Sequence, residues 1–186
     1  MKTYTIIGGV NGVGKSSLSG VLVSTYDDLG VIVNPDLLAV EYGDRFKGGR
    51  AAVRLLEDCL AKGIDFSQET TLSGHQPVLL AKKAREKSYR IRLFYVGVNS
   101  LDECLSRIEN RVKKGGHSIP GDIVEKRYRK RFSDLARILP YCSEVHLFDN
   151  ENGFCEAAEY KNGKLIPLLD PLPEWVTAFK AYLQTL

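Results

Sequence analysis

The run Gly9-Val10-Asn11-Gly12-Val13-Gly14-Lys15-Ser16 limits what this chain can fold into more than any other feature. It matches G-x-x-x-x-G-K-[ST] in full, a match that chance produces on the order of once in a hundred chains of this length. Gly12 and Gly14 open backbone conformations closed to other residues, so successive N–H groups can turn inward on a phosphate. A helix starting near Lys15 adds the positive end of its dipole at the same place. The pattern predicts that Lys15 reaches the β- and γ-phosphates and that the Ser16 hydroxyl ligates Mg²⁺. Gly9, Asn11, Val13 and Ser17 complete the predicted cradle, with ATP and Mg²⁺ as the expected cofactors.

The loop follows the apolar Thr5-Ile6-Ile7 and precedes an amphipathic stretch, which makes it a strand–loop–helix unit. The same alternation continues along the chain, the mark of an α/β protein with a parallel sheet. Strands are predicted over Tyr4–Gly8, Val31–Asn34, Ile64–Glu69, Arg90–Gly97 and Glu144–Phe148. Helices are predicted over Lys15–Tyr26, Arg50–Lys62, Gln76–Lys87, Leu101–Lys113 and Asp122–Leu139. Gly63 closes the second of these, as glycine commonly does just past a helix end. Phe154–Tyr160 and Lys164–Leu169 flank Lys161-Asn162-Gly163, and Asn-Gly between two strand-like runs signals a hairpin. The expected architecture is a three-layer phosphate-loop fold of the nucleoside-kinase type: five parallel strands, a C-terminal antiparallel hairpin and a last helix. One domain over 1–186 is expected, with a lid at about 105–137 and the hairpin and final helix at 153–186.

Other classes are excluded step by step. No run approaches the roughly 18 apolar residues of a membrane helix, and the apolar start is too short for a signal peptide. Cys59, Cys104, Cys142 and Cys155 show neither C-x-x-C spacing nor clustered histidines, so a reducing, cytoplasmic setting is expected. A guanine-specific N-K-x-D is absent. Leu72-Ser73-Gly74-His75-Gln76 resembles the signature of ABC ATPases, but the next strand ends in Gly-Val-Asn rather than Asp-Glu. What remains is a small-molecule kinase.

Such enzymes need a carboxylate near the γ-phosphate and an arginine-bearing lid. Asp36 follows the second strand at the carboxyl edge of the sheet, where open α/β folds bind ligands. It suits a base that accepts the proton of an attacking hydroxyl, and equally a helix cap; the two readings are compatible. Glu69, Thr70 and Thr71 end the third strand on the same edge and suit a polar substrate. Between Arg107 and Arg137 ten cations face four carboxylates, an excess of +6 in a chain whose net charge is +3. Arg107 and Arg111 stand four apart, as do Arg127 and Arg131, so each pair shares a helix face. An anionic partner is implied, phosphate or nucleic acid. The segment has few interleaved aromatics and no helix-turn-helix or zinc pattern, which argues against nucleic acid. A nucleotide-dependent regulatory or nucleic-acid-binding ATPase stays as the alternative.

GVNGVGKSS, NPDLLA, FSQETTLSG, RIENRVKKGGHSIP with the EKRYRKR helix, and LFDN together resemble the zeta-toxin family of phosphate-loop kinases, in its compact bacterial branch. The resemblance covers the first strand to about Asn150. It implies that Asp36 is the catalytic base and that Glu69 contacts the substrate. It sets Arg50 against the family's arginine at the head of the preceding helix, and Arg111, with Arg107 close behind, as the first lid arginine on the triphosphate. The second lid arginine of the toxins falls at His117 here, leaving His117, Arg127 or Arg131 to supply that charge. The resemblance further implies a UDP-N-acetylglucosamine-like acceptor and, for a toxin, a small antitoxin partner.

Overall fold

The computed structural model describes residues 1–116 and 118–186. In chain order the elements are β1 (Thr3–Gly8), α1 (Lys15–Val23), β2 (Val31–Val33), α2 (Pro35–Glu41), α3 (Arg45–Lys62), β3 (Phe66–Thr70) and α4 (Gln76–Glu86). They continue with β4 (Arg90–Gly97), α5 (Leu101–Lys113), α6 (Gly121–Ile138), β5 (Glu144–Asp149), β6 (Cys155–Lys161), β7 (Lys164–Pro167) and α7 (Glu174–Leu183).

Among the described residues the strands form one sheet in the order β2-β3-β1-β4-β5-β6-β7. The first five run parallel, and β6 and β7 add antiparallel to β5, as expected. All of β1 is buried, which is why its sequence is a continuous apolar and threonine run rather than an alternating one.

Alternation reappears in which layer each side chain feeds. Ile6, Leu93 and Tyr95 enter a core with α3, α4 and α7, where Leu56, Ala81, Trp175 and Phe179 are buried. Ile7, Phe94 and Val96 face the opposite way, against Leu18 of α1 and Cys104 and Ile108 of α5. Helices therefore cover both faces, and the carboxyl ends of β1 and β3 are left open between them.

Between Asn34 and Lys62 the structure differs from expectation for local reasons. The helix expected to open at Arg50 opens at Arg45, where the Asp44 carboxylate accepts from the Lys47 N–H at 2.7 Å. Its first turn presents Arg45, Phe46 and Lys47 to solvent, and a lone exposed Phe46 sets up no apolar period to announce it. A separate short helix, α2, precedes it. Its cap is Asn34, whose Oδ1 accepts from Asp36 N and Leu37 N at 2.9 and 3.3 Å. The cap reading of Asp36 is thereby corrected: Asp36 sits inside the first turn, and Pro35 holds the helix start.

Candidate active site

The phosphate loop is built by contacts distant in sequence. Gly12 has φ +87°, and a Cβ there would lie 2.4 Å from the Cys104 carbonyl oxygen, so α5 packs directly on the loop backbone. Gly14 caps α1 in the left-handed region. Asn150, just after β5, donates from Nδ2 to the Val13 carbonyl at 2.8 Å and thus clamps the loop from the far side. The Lys15 ammonium folds back to the Val10 carbonyl at 3.1 Å. Its desolvation outweighs the pull of Glu69 and Asp36, and pushes its pKa down from 10.5 to about 8.

The parallel register aligns the ends of β1 and β3, with Ile7 opposite Glu69 and Gly8 opposite Thr70. The buried Glu69 carboxylate is thereby set against α1, and it accepts from the Ser16 hydroxyl at 2.8 Å. Asn34 Nδ2 approaches the same hydroxyl at 3.5 Å. A hydroxyl beside a carboxylate is the hard oxygen set that Mg²⁺ takes, so the residues present fit that ion.

Two clefts meet here. One, of about 330 Å³, runs along the phosphate loop past Gly12, Gly14, Ser16 and Ser17 to Arg107, Ile108 and Arg111 of α5 and Asn150. The other, of about 220 Å³, is walled by Asn34 and Pro35, by Thr70 and Thr71, by Arg45 and Gly49 of α3, and by Arg127 of α6. Asn11, Lys15, Asp36 and Glu69 line both. The second cleft is held in part by the Thr70 hydroxyl, which accepts from Leu72 N at 3.0 Å, and by Thr71, which bonds Ser73.

Most residues singled out in the sequence converge on these clefts, with differences in detail. Arg107 is tied down: its Nε meets Glu103 at 2.6 Å and its Nη2 donates to the Asn150 carbonyl at 2.7 Å, so it braces the segment after β5. Arg127 lies in the second cleft and donates to Asn11 Oδ1 at 2.6 Å. Arg131 turns away, stacked 3.8 Å from the Tyr128 ring and 4.1 Å from that of Phe132. Arg50 lines a separate groove with Leu38, Tyr42, Lys47 and Arg54. Gly9 and Val13 shape the loop from inside: Val13 is buried, and a Cβ on Gly9 would meet the Val96 carbonyl. His117 lies outside the described residues. Arg45, Asn34 and Asn150 escaped sequence reading. Asn-Pro is an N-cap signal that would have marked Asn34, whereas nothing local marks the other two.

No protein-family model matches the chain. An uncharacterized protein of Haemophilus influenzae is 34% identical over 126 residues, covering 64% of this chain and 88% of that one. Among solved structures, a chain of the PezAT chromosomal toxin–antitoxin system of Streptococcus pneumoniae matches 99% of this chain and 84% of its own length, at TM-score 0.62 and 13% identity. A chain of the AvrRxo1-ORF1:-ORF2 assembly with ATP matches 96% of this chain at TM-score 0.66 and 16% identity. This chain spans 63% of that longer one, a little under two thirds. No helix among the described residues is long and apolar enough to cross a membrane. The chain belongs to one family with the Haemophilus influenzae protein, and it shares its fold with the matched chains of the PezAT and AvrRxo1-ORF1:-ORF2 structures.

Proposed function

We propose that this chain is an ATP-dependent phosphotransferase that moves the γ-phosphate to a hydroxyl of a sugar-nucleotide-like or related small substrate. The observation that carries the reading is that Asp36, Lys15 and Glu69 line both clefts, where a donor phosphate and an acceptor would meet. In this reading ATP lies along Gly9–Ser17, with the loop N–H groups and Lys15 on its phosphates and Arg111 above them. Ser16, with Glu69 beside it, would hold Mg²⁺, which would supply charge neutralisation on the phosphates. Asp36 orients the acceptor hydroxyl and takes its proton as the new O–P bond forms and the bond from the γ-phosphorus to the bridging oxygen breaks, releasing ADP, while Thr70 and Thr71 supply polar contacts. Closure of α5 and α6 over the clefts excludes water that would otherwise consume ATP.

Both solved relatives come from two-component assemblies, which supports a small antitoxin-like protein partner for this chain too. A protein that draws on ATP in this way is proposed to act in the cytoplasm.

The test is ATP consumption against a panel of sugar nucleotides, nucleosides and amino sugars. Asp36→Asn is expected to lower turnover roughly a hundredfold or more, the share of a general base, with nucleotide affinity nearly intact. Equal loss of both would reduce Asp36 to a structural role. Lys15→Ala should lose nucleotide binding and turnover together, and an active Lys15→Ala protein would sink the mechanism.

A further inference from the structure

The second cleft holds more positive charge than its own carboxylates answer. Glu69 is engaged by Ser16. Arg45 and Arg127 enter from opposite walls, α3 and α6. Among the described residues Arg92, Arg107 and Arg137 each hold a carboxylate at 2.6–2.7 Å. Neither Arg45 nor Arg127 has one within ion-pair distance among those residues, and Arg127 is instead tethered to the Asn11 amide oxygen. Burial, and next the charge of Arg45, hold the Arg127 pKa below its ordinary value, with Asp36 opposing, so the two guanidiniums repel across the cleft.

Two features of α3 are unexplained by helix stability. Its first turn carries no acid but does carry Arg45 and Lys47, cations where the helix dipole disfavours them. It also has two adjacent glycines, each costly in a helix interior. Gly48 has a packing reason, since a Cβ there would fall 2.4 Å from Ala39. Gly49 has none: a Cβ would meet nothing within 4 Å, yet Gly49 lines the cleft one turn on from Arg45. A missing side chain beside two unanswered guanidiniums leaves room for a ligand that carries negative charge.

We infer that the acceptor bears an anionic group, a phosphate or a carboxylate, clasped between Arg45 and Arg127 with Gly49 giving it clearance. The inference rests on the kinase reading, because it takes the Arg127 cleft as the acceptor side. It assigns Arg127 to the acceptor rather than to the triphosphate. Arginine suits that task, because its planar fork pairs with two oxygens of one anion.

The test uses the whole chain loaded with Mg²⁺ and a non-hydrolysable ATP analogue, so that the phosphate loop is filled. Inorganic phosphate and, separately, malonate are titrated in by calorimetry. At least one should bind the loaded protein, and Arg45→Gln and Arg127→Gln should each weaken it roughly tenfold or more. Gly49→Ala should raise the melting temperature yet weaken the anion, a combination that a purely structural glycine would not give. Phosphate alone binding points to a phosphorylated acceptor, and malonate alone to a hydroxy acid. Absence of both, or equal affinity in wild type and both arginine variants, overturns the clamp. Binding of the analogue is measured first; its persistence in Lys15→Ala would defeat the kinase reading separately from the clamp.

Discussion

Lys15 shows how one residue serves two opposed demands. Its charge is wanted by phosphate, but its half-buried place beside the loop disfavours that charge and brings its pKa to about 8. A lysine whose folded pKa lies below its unfolded one costs stability while protonated. That cost is fully present below about 8 and is relieved as pH rises toward the unfolded value of 10.5. Lys15→Met is therefore expected to be more stable than the wild type at pH 7, with the gap narrowing by pH 10. Urea unfolding of both proteins at the two pH values checks this, and a gap independent of pH would refute it. Nucleotide affinity should fall across the same range as the ammonium is lost. The identity of this lysine was plain in the sequence; its depressed pKa was not, because burial is a tertiary property.

At the scale of elements, α2 is the vulnerable piece. None of its residues is buried, and it leans on α3 through the close approach of Gly48 to Ala39. Its start depends on Asn34, which caps two N–H groups and also reaches toward Ser16. Asn34→Ala should cost about 1 kcal/mol, the usual value of a lost cap. It should lower kcat by misplacing Asp36 while the rest of the fold stays intact. Hydrogen exchange of Leu37–Val40 against the β1 amides would show it; uniform loss of protection would point to global destabilisation instead. Asn34-Pro35 is a local start signal that the apolar pattern does not pick up, and α3 reads five residues short, because its first turn has no buried apolar side chain. The strands are more legible, since β1 and β4 are buried throughout or nearly so and read as mostly apolar runs, punctuated by threonine in β1 and by Arg92 in β4.

Across the whole molecule the C-terminal part locks the site from behind. Trp175 is buried, packs against Gly97 at the end of β4, and donates from Nε1 to Asp149 at 2.8 Å. Asp149 ends β5 and Asn150 follows it, holding both the phosphate loop and Arg107. Trp175→Ala is expected to cost about 3–5 kcal/mol, as loss of a fully buried aromatic does. It should also loosen nucleotide binding in whatever folds, seen by calorimetry at low temperature. Unchanged affinity in that variant would separate α7 from the loop.

The sequence by itself determined the phosphate loop, the parallel strands and the hairpin, because each rests on neighbours within a few residues: glycine backbone freedom, a helix start, an apolar run, an Asn-Gly turn. Only the tertiary structure decided which charges meet. Arg127 stands 116 residues from the Asn11 it bonds, and Glu69 stands 53 from Ser16. Those distances are closed by the sheet order, which sets β1 between β3 and β4. The same order brings Arg45 to the second cleft, turns Arg131 onto its aromatic neighbours and leaves Arg50 in a groove of its own. Local spacing can say that a side chain carries charge. Where that charge points follows from how α3 and α6 pack around the open ends of the strands.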